Sequence, residues 1–230
     1  MIDGLRTIKP PFEIAYRIIP SRFPPVGVFD GLVSRDELDI AFEIEARTNE
    51  RLRADIGSLH LVDPEDWVVG PGATTVMGAF THPSPAGSRF SDGGYGVYYC
   101  GDSERVAIHE TAYHRAVFLK LTGEGPCRVE MRQYAGRLVQ KLVDGRRRLP
   151  KAALDANDYQ VSRKLGAQLR DAKAYGLIYP SVRASGGWCV ALFRPPAITD
   201  VVPSKMYQYL FDGERISDVL PIGEAISLGQ

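Results

Sequence analysis

A carboxylate on the apolar stripe of a helix is the feature that most limits what this chain can become. It lies within residues Gly87–Leu121, where a glycine-broken loop, a short aromatic strand and a helix follow one another. The strand is Val97-Tyr98-Tyr99-Cys100, β-branched and aromatic, and it is bounded by Gly93-Gly94 and Gly101-Asp102, which are turn residues. Asp102 or Ser103 then caps the helix. Stepping about 100° per residue from Val106, the residues Tyr113, Val117, Glu110 and Leu121 fall within one arc roughly 80° wide. Glu110 therefore shares the apolar stripe, while Glu104 and Arg115 lie opposite, where charges normally go. A carboxylate turned toward a core costs several kcal/mol unless it is paired or used. The fold must bring something to meet Glu110: an Arg or Tyr that ties it structurally, or a substrate.

The chain is long enough to hold such a residue against a full core. Its 230 residues are 44% hydrophobic and 24% charged, which suits one large domain or two small ones; we read residues 1–230 as one. Formal net charge is zero with a pI of about 6.9, so no bulk field holds nucleic acid or an anionic membrane. The run Arg146-Arg147-Arg148 reads as an exposed loop. Cys100, Cys127 and Cys189 are odd in number and lack paired metal spacing, which points to a reducing compartment and buried thiols. No basic segment precedes an apolar run at the N-terminus, and no stretch reaches the roughly 18 apolar residues of a membrane span. A cytoplasmic protein is the expectation.

Taken in order, residues 1–12 read as a loose arm and Ile14–Ile19 as a first strand, in which Arg17 is either an outward charge or an inward anion ligand. Ser34 and Glu37 form a capping box that opens a helix to about Ala54, part of a helical insertion spanning about 34–72. His60-Leu61-Val62 reads as a short strand and Asp63–Trp67 as an acidic turn. Ala73–Phe80 is apolar and of open type. His82, in the loop Thr81–Gly87, is a surface residue or a site residue. Beyond the helix that carries Glu110, Arg128–Arg132 alternates as a strand, Leu138–Leu142 reads as another, and Ala152–Ala174 as a helix with Val161, Leu165 and Leu169 on one face. Gly176–Tyr179 and Trp188–Phe193 form a hairpin in the middle of a sheet. Ser181, at the end of the first of these strands, either points into a cleft or caps a turn. Tyr207–Phe211 is the expected final strand. Short strands mixed with longer helices, without regular βαβ alternation, give an α+β class.

Phosphate-loop, nucleophile-elbow and His-Glu-x-x-His patterns are absent. His109 and His114 flank Glu110 suggestively, but they lie about 140° apart on the helix and do not converge on one metal ion. What remains is Arg89 in a Gly/Ser loop, Tyr98 or Tyr99 on the next strand and Glu110 on the next helix. An anion clamp, an aromatic plate and one carboxylate suit a substrate with an anionic group, a flat ring and a sugar. NAD combines all three, and a carboxylate can stabilise the oxocarbenium-like state formed when its nicotinamide–ribose bond breaks.

At these residues the chain resembles the RES domain family, named for Arg, Glu and Ser. The matching pieces are Gly87-Ser88-Arg89-Phe90-Ser91 with Gly93-Gly94, Val97-Tyr98-Tyr99, Glu110 and Tyr179-Pro180-Ser181-Val182, with Tyr16-Arg17-Ile18 similar to the family's first strand. The resemblance runs from about Tyr16 to Pro196. It implies a split, mostly antiparallel sheet with flanking helices, resembling ADP-ribosyltransferases. It also implies that Arg89 holds the NAD phosphates or the nicotinamide ribose, Tyr99 walls the nicotinamide, Glu110 binds the ribose hydroxyls and stabilises the cation, and Ser181 bonds the nicotinamide side or a phosphate. Arg17 is a candidate second phosphate contact. Family members are toxins of bacterial toxin–antitoxin pairs that deplete NAD, with water or inorganic phosphate as acceptor and no metal. The implied partner is an antitoxin with a helix-turn-helix DNA-binding part; the toxin itself touches neither nucleic acid nor membrane, and its homo-oligomeric state is left open. The rival readings are an ADP-ribosyltransferase acting on a protein, and a non-catalytic binding module in which Glu110 and Arg89 form a structural ion pair.

Overall fold

The computed structural model describes residues 4–20, 29–31 and 57–223. The expected helix from Ser34 to about Ala54, and with it most of the insertion, falls outside the described residues. Nine strands form one sheet: β1 (Thr7–Ile8), β2 (Ile14–Pro20), β3 (Tyr98–Gly101), β4 (Cys127–Leu138), β5 (Leu142–Asp144), β6 (Gly176–Pro180), β7 (Trp188–Leu192), β8 (Ile198–Phe211) and β9 (Ile216–Ile222). Their spatial order is β1-β5-β6-β7-β3-β2-β4-β8-β9. Among the described residues only β5 and β6 run parallel, so the sheet is mostly antiparallel, as expected. Three α-helices flank it among the described residues: α1 (Ala73–Thr81), α2 (Glu104–Leu121) and α3 (Gln160–Asp171). None of them is long and apolar enough to cross a membrane.

Period-2 alternation assigns the central strands to two cores. Tyr98 and Cys100 of β3, Ile178 of β6 and Val190 and Leu192 of β7 pack with Val76, Met77 and Phe80 of α1. Leu177 and Tyr179 of β6 and Cys189 and Ala191 of β7 face the other way, onto Leu165 and Leu169 of α3. Ile18 of β2 and Met131 of β4 meet Ala107 of α2. Burying each Leu, Ile or Met of this kind contributes about 1.5–3 kcal/mol.

The sheet is nearly divided in the middle. β2 pairs with β4 along its whole length, from Ile14↔Arg137 to Pro20↔Met131, but meets β3 through the single pair Tyr16↔Gly101. Past that pair the two strands part, and α2 crosses the opening. A side chain at Gly101 would press on the backbone nitrogen of Ala107, 2.9 Å from the position of its Cβ. Glycine there lets the first turn of α2 sit directly on the strand.

Several expectations are corrected. The N-terminal arm is not loose through its length, since Thr7 and Ile8 pair with Val143 and Leu142. His60–Val62 is no strand: Leu59–Leu61 is a 3-10 turn, with Val62 N bonding back to Leu59 O. The acidic turn is a 3-10 turn at Pro64–Asp66, in which Asp66 is 5% exposed and holds the Arg194 guanidinium at 2.6 and 2.7 Å. Ala73–Thr81, of open type in the sequence, is helical. The strand expected at Leu138–Leu142 is the end of β4 and the start of β5. The helix expected over Ala152–Ala174 is a 3-10 turn, Lys151–Leu154, followed by the shorter α3. Between them Asp155 Oδ1 accepts from the backbone N–H groups of Asn157 and Asp158, and Asp158 Oδ1 from that of Gln160. These side chains compete with helical hydrogen bonds and delay the helix. β8 is not the final strand, because Asp212 builds a turn into β9 by accepting from the N–H groups of Glu214 and Arg215.

The apolar stripe read on α2 holds only for its first turns. Val106 and Ala107 are buried, but further along the buried residues are Ala116 and Leu119, packed beside Phe211. Val117 and Leu121, expected inside, are 38% and 83% exposed. The helix rests on β3 and β2 at its start and on β9 at its end, so its contact face rotates along its length.

Two predictions follow from this packing. A Cβ at Gly166 of α3 would lie 2.0 Å from Phe90 O, so Gly166→Ala should destabilise the protein by about 1–3 kcal/mol, whereas Gly78→Ala in α1, with open space around it, should be stabilising by up to about 1 kcal/mol. Paired thermal melts check both. Cys100 and Cys189 are buried free thiols and Cys127 is half-buried; burial pushes Cys100 up to about 12 and Cys189 well above its ordinary value. Thiol titration at pH 8 should label only Cys127 in the native protein and all three after unfolding.

Candidate active site

The opening between β2 and β3 is a cavity of about 260 Å³. β2 supplies Tyr16, Arg17 and Ile18, the loop before β3 supplies Ser88 and Arg89, β3 supplies Tyr99, and α2 supplies Glu110 and His114. Tyr159, Tyr179 and Cys189 complete the wall. The volume lies just below the usual range for small-molecule sites.

The loop that carries Arg89 is held from several sides. Ser88 and Ser91 form a backbone bridge. The Tyr99 hydroxyl accepts from Phe90 N at 2.9 Å and lies 2.8 Å from Ser88 Oγ, while the Tyr95 hydroxyl donates to Phe90 O. Arg163 of α3 donates to the carbonyls of Ser88 and Ala86, and the buried Phe90 ring meets Tyr179 edge-on at 4.9 Å. Burial pushes the Tyr99 hydroxyl up to about 12, with the Ser88 and Phe90 hydrogen bonds pulling the other way, so it is a neutral hydrogen-bonding group at physiological pH. Adjacent strand residues divide as pleating requires: Tyr99 faces the cavity, whereas Tyr98 is fully buried in the core beside α1.

Arg89 is 6% exposed. Its Nη1 donates to Asp155 O at 2.8 Å and Ala153 O at 3.4 Å, and its guanidinium stacks 4.5 Å from the centre of the Tyr159 ring. Among the described residues no ion pair joins Arg89 to Glu110. The structural pair on which the binding-module reading depended is therefore not formed.

Arg17 corrects the outward alternative. It has the strand parity of Ala15 and Ile19, which pack with the core beside α1, yet its guanidinium enters the gap. Its Nη1 donates to Tyr99 O at 3.1 Å and its charge lies 4.6 Å from the centre of the Tyr98 ring. The side chain thus occupies a ladder position that β2 and β3 leave open, while its Nε is buried without a hydrogen-bond partner. An orphaned buried donor of this kind costs about 1–3 kcal/mol.

Glu110 is met by neutral donors. Ser181 Oγ donates to its Oε1 at 2.6 Å, and Cys189 Sγ approaches the same oxygen at 3.4 Å. Burial first, and then the neighbouring carboxylate, keep the Cys189 thiol protonated, which makes it a donor and not a nucleophile. The turn-capping reading of Ser181 holds, because its hydroxyl also accepts from the N–H groups of Arg183 and Ala184 after β6; Ser181 itself does not line the cavity and reaches it only through Glu110. Glu110 Oε2 has no hydrogen-bond partner among the described residues.

Reasoning from the sequence passed over Tyr159, Cys189 and His114 as site residues. Tyr159 follows a loop that the sequence pattern showed as helix. Cys189 read as an ordinary buried thiol. His114 was considered only as a metal ligand, although its four-residue spacing from Glu110 places both on one face. His82 and His109 are exposed and outside the cavity. No group of three or more His, Cys, Asp or Glu side chains among the described residues could hold a metal ion.

Comparison with known proteins gives three findings. The RES domain family model matches residues 60–212. Protein y4oC of Sinorhizobium fredii is 32% identical over 209 residues, covering 88% of this chain and 84% of the relative. A chain of the M. tuberculosis MbcT–MbcA toxin–antitoxin complex superposes with a TM-score of 0.47 at 10% identity, covering 86% of each chain. By the extent of the family match and the identity to this relative, the chain belongs to the RES domain family.

Proposed function

We propose that this chain cleaves the nicotinamide–ribose bond of NAD, passing the ADP-ribose to water or inorganic phosphate, and that it acts as the toxin of a toxin–antitoxin pair. The observation that carries the reading is the Glu110 carboxylate, fixed through one oxygen by Ser181 and Cys189 and left with the other oxygen free beside the cavity. Membership of the RES domain family supports the toxin role and, with it, an antitoxin partner; the helix-turn-helix part of that partner is our assignment.

In this reading the nicotinamide ribose lies against Glu110, whose Oε2 takes the ribose hydroxyls and faces the positive charge that develops as nicotinamide leaves. A fixed carboxylate needs little rearrangement in the transition state, which is where electrostatic stabilisation is most effective. Ser181 is a positioning residue rather than a nicotinamide contact, because its proton and lone pairs already serve Glu110 and the turn. Arg17 and Arg89 both line the cavity and offer guanidiniums to the pyrophosphate, and Nε and Nη2 of Arg89 make no hydrogen bond to the described residues. Tyr99 and Tyr179 wall the ring.

Purified protein incubated with NAD should release nicotinamide together with ADP-ribose or its phosphorylated form, identified by mass spectrometry. Glu110→Gln should reduce the rate by about 10²–10³-fold or more while moving the thermal midpoint by no more than about 2–4 °C. Intact NAD throughout, or a fully active Glu110→Gln, would refute the reading, and ADP-ribose attached to protein would assign a different acceptor. Ser181→Ala should lower kcat more than it raises KM and destabilise the fold by about 1–3 kcal/mol, because two backbone donors lose their acceptor. Steady-state kinetics beside a thermal melt separate the two effects.

A further inference from the structure

His114 lies one helical turn beyond Glu110 and lines the same cavity, yet nothing in the mechanism above uses it. The residue is exposed, and its ring stands edge-on to Tyr113, 5.3 Å between ring centres. The charged groups facing it are Glu110 on its own helix, Arg183 from the turn after β6 and Arg89 from the loop before β3. Crowding by the protein lowers its pKa below the ordinary 6.5, Arg183 and Arg89 act in the same direction, and Glu110 opposes them. A neutral imidazole therefore stands at the cavity mouth at physiological pH, where water arrives.

On the NAD-cleaving reading, we propose that His114 is the base that takes a proton from water as water attacks the ribose carbon, and that it thereby sets the balance between water and inorganic phosphate as acceptor. The bond from ribose C1′ to the pyridinium nitrogen breaks, and its electron pair goes to the ring, which leaves as neutral nicotinamide. The water oxygen forms the new bond to C1′. The proton it loses passes to the imidazole and then to solvent, leaving ADP-ribose. Hydrogen phosphate dianion attacks through an oxygen that carries no proton, so its path does not need the base. Glu110 is poorly suited to take the water proton, since its free oxygen is committed to the ribose and the cation.

The test uses the full chain, its His114→Gln and His114→Ala variants, and Glu110→Gln as the inactive reference. NAD is supplied with and without inorganic phosphate from pH 5 to 9, and ADP-ribose and its phosphorylated form are measured separately. His114→Gln should lower hydrolysis by about 10²–10⁴-fold and lower phosphorolysis much less, so the product ratio moves toward the phosphorylated form. The fall of hydrolysis below the histidine pKa should disappear, and added imidazole should restore hydrolysis in His114→Ala. An unchanged product ratio, an unchanged pH profile, or a wild type that uses phosphate alone would overturn the role of His114. If the wild type leaves NAD intact in both conditions, the NAD-cleaving reading fails first and takes this inference with it. If the wild type cleaves NAD and His114→Gln matches it, only this inference fails.

Discussion

The pairing of β2 with β3 through one residue pair is the constraint on which the rest of the site depends. Had the two strands zipped along their length, ladder hydrogen bonds would have closed the sheet and left no cavity. Instead β2 follows β4 throughout, β3 follows β7, and the sheet parts between them. Arg17 occupies the opening by donating to Tyr99 O, which places a cation where a backbone donor would otherwise stand. The cavity is thus part of the sheet's own hydrogen-bond pattern, and backbone, aromatic and cationic groups converge on it.

The second consequence concerns charge. Glu110 is supported by a hydroxyl and a thiol, not by a guanidinium, while Arg89 is directed to the carbonyls of Ala153 and Asp155 and to the Tyr159 ring. An Arg89–Glu110 pair would have cancelled the two charges most useful to an anionic sugar substrate. Held apart, the carboxylate can meet a developing cation and the guanidiniums can meet phosphates. The geometry separates groups that the simplest stabilising arrangement would join, a pattern that marks functional sites more often than structural ones.

Much of this was legible in the sequence where a local rule governs. The strand at Tyr98–Gly101, the capped helix after it and the inward Glu110 follow from turn glycines, aromatic content and helical spacing, and the β6–β7 hairpin follows from two apolar runs around Gly186-Gly187. What could not be read depends on distant partners. Arg17 has core-side strand parity, and only the length of its side chain and the gap beside it bring its charge to the cavity. Tyr159 reaches Arg89 because Asp155 and Asp158 halt a helix that apolar spacing alone would continue. The far end of α2 exposes Leu121 because the helix rolls from β3 toward β9, a tertiary effect that a helical wheel drawn from Val106 does not contain. The partners of Glu110, Ser181 and Cys189, are brought to it by sheet topology across 71 and 79 residues of sequence.

The most direct test of the account is a crystal structure of the Glu110→Gln protein soaked with NAD. The nicotinamide and its ribose should lie in the cavity between β2 and β3, with ribose hydroxyls within hydrogen-bond reach of the residue 110 side chain and the pyrophosphate against Arg17 and Arg89. NAD bound elsewhere on the protein, or in this cavity with its ribose turned away from residue 110, would contradict it.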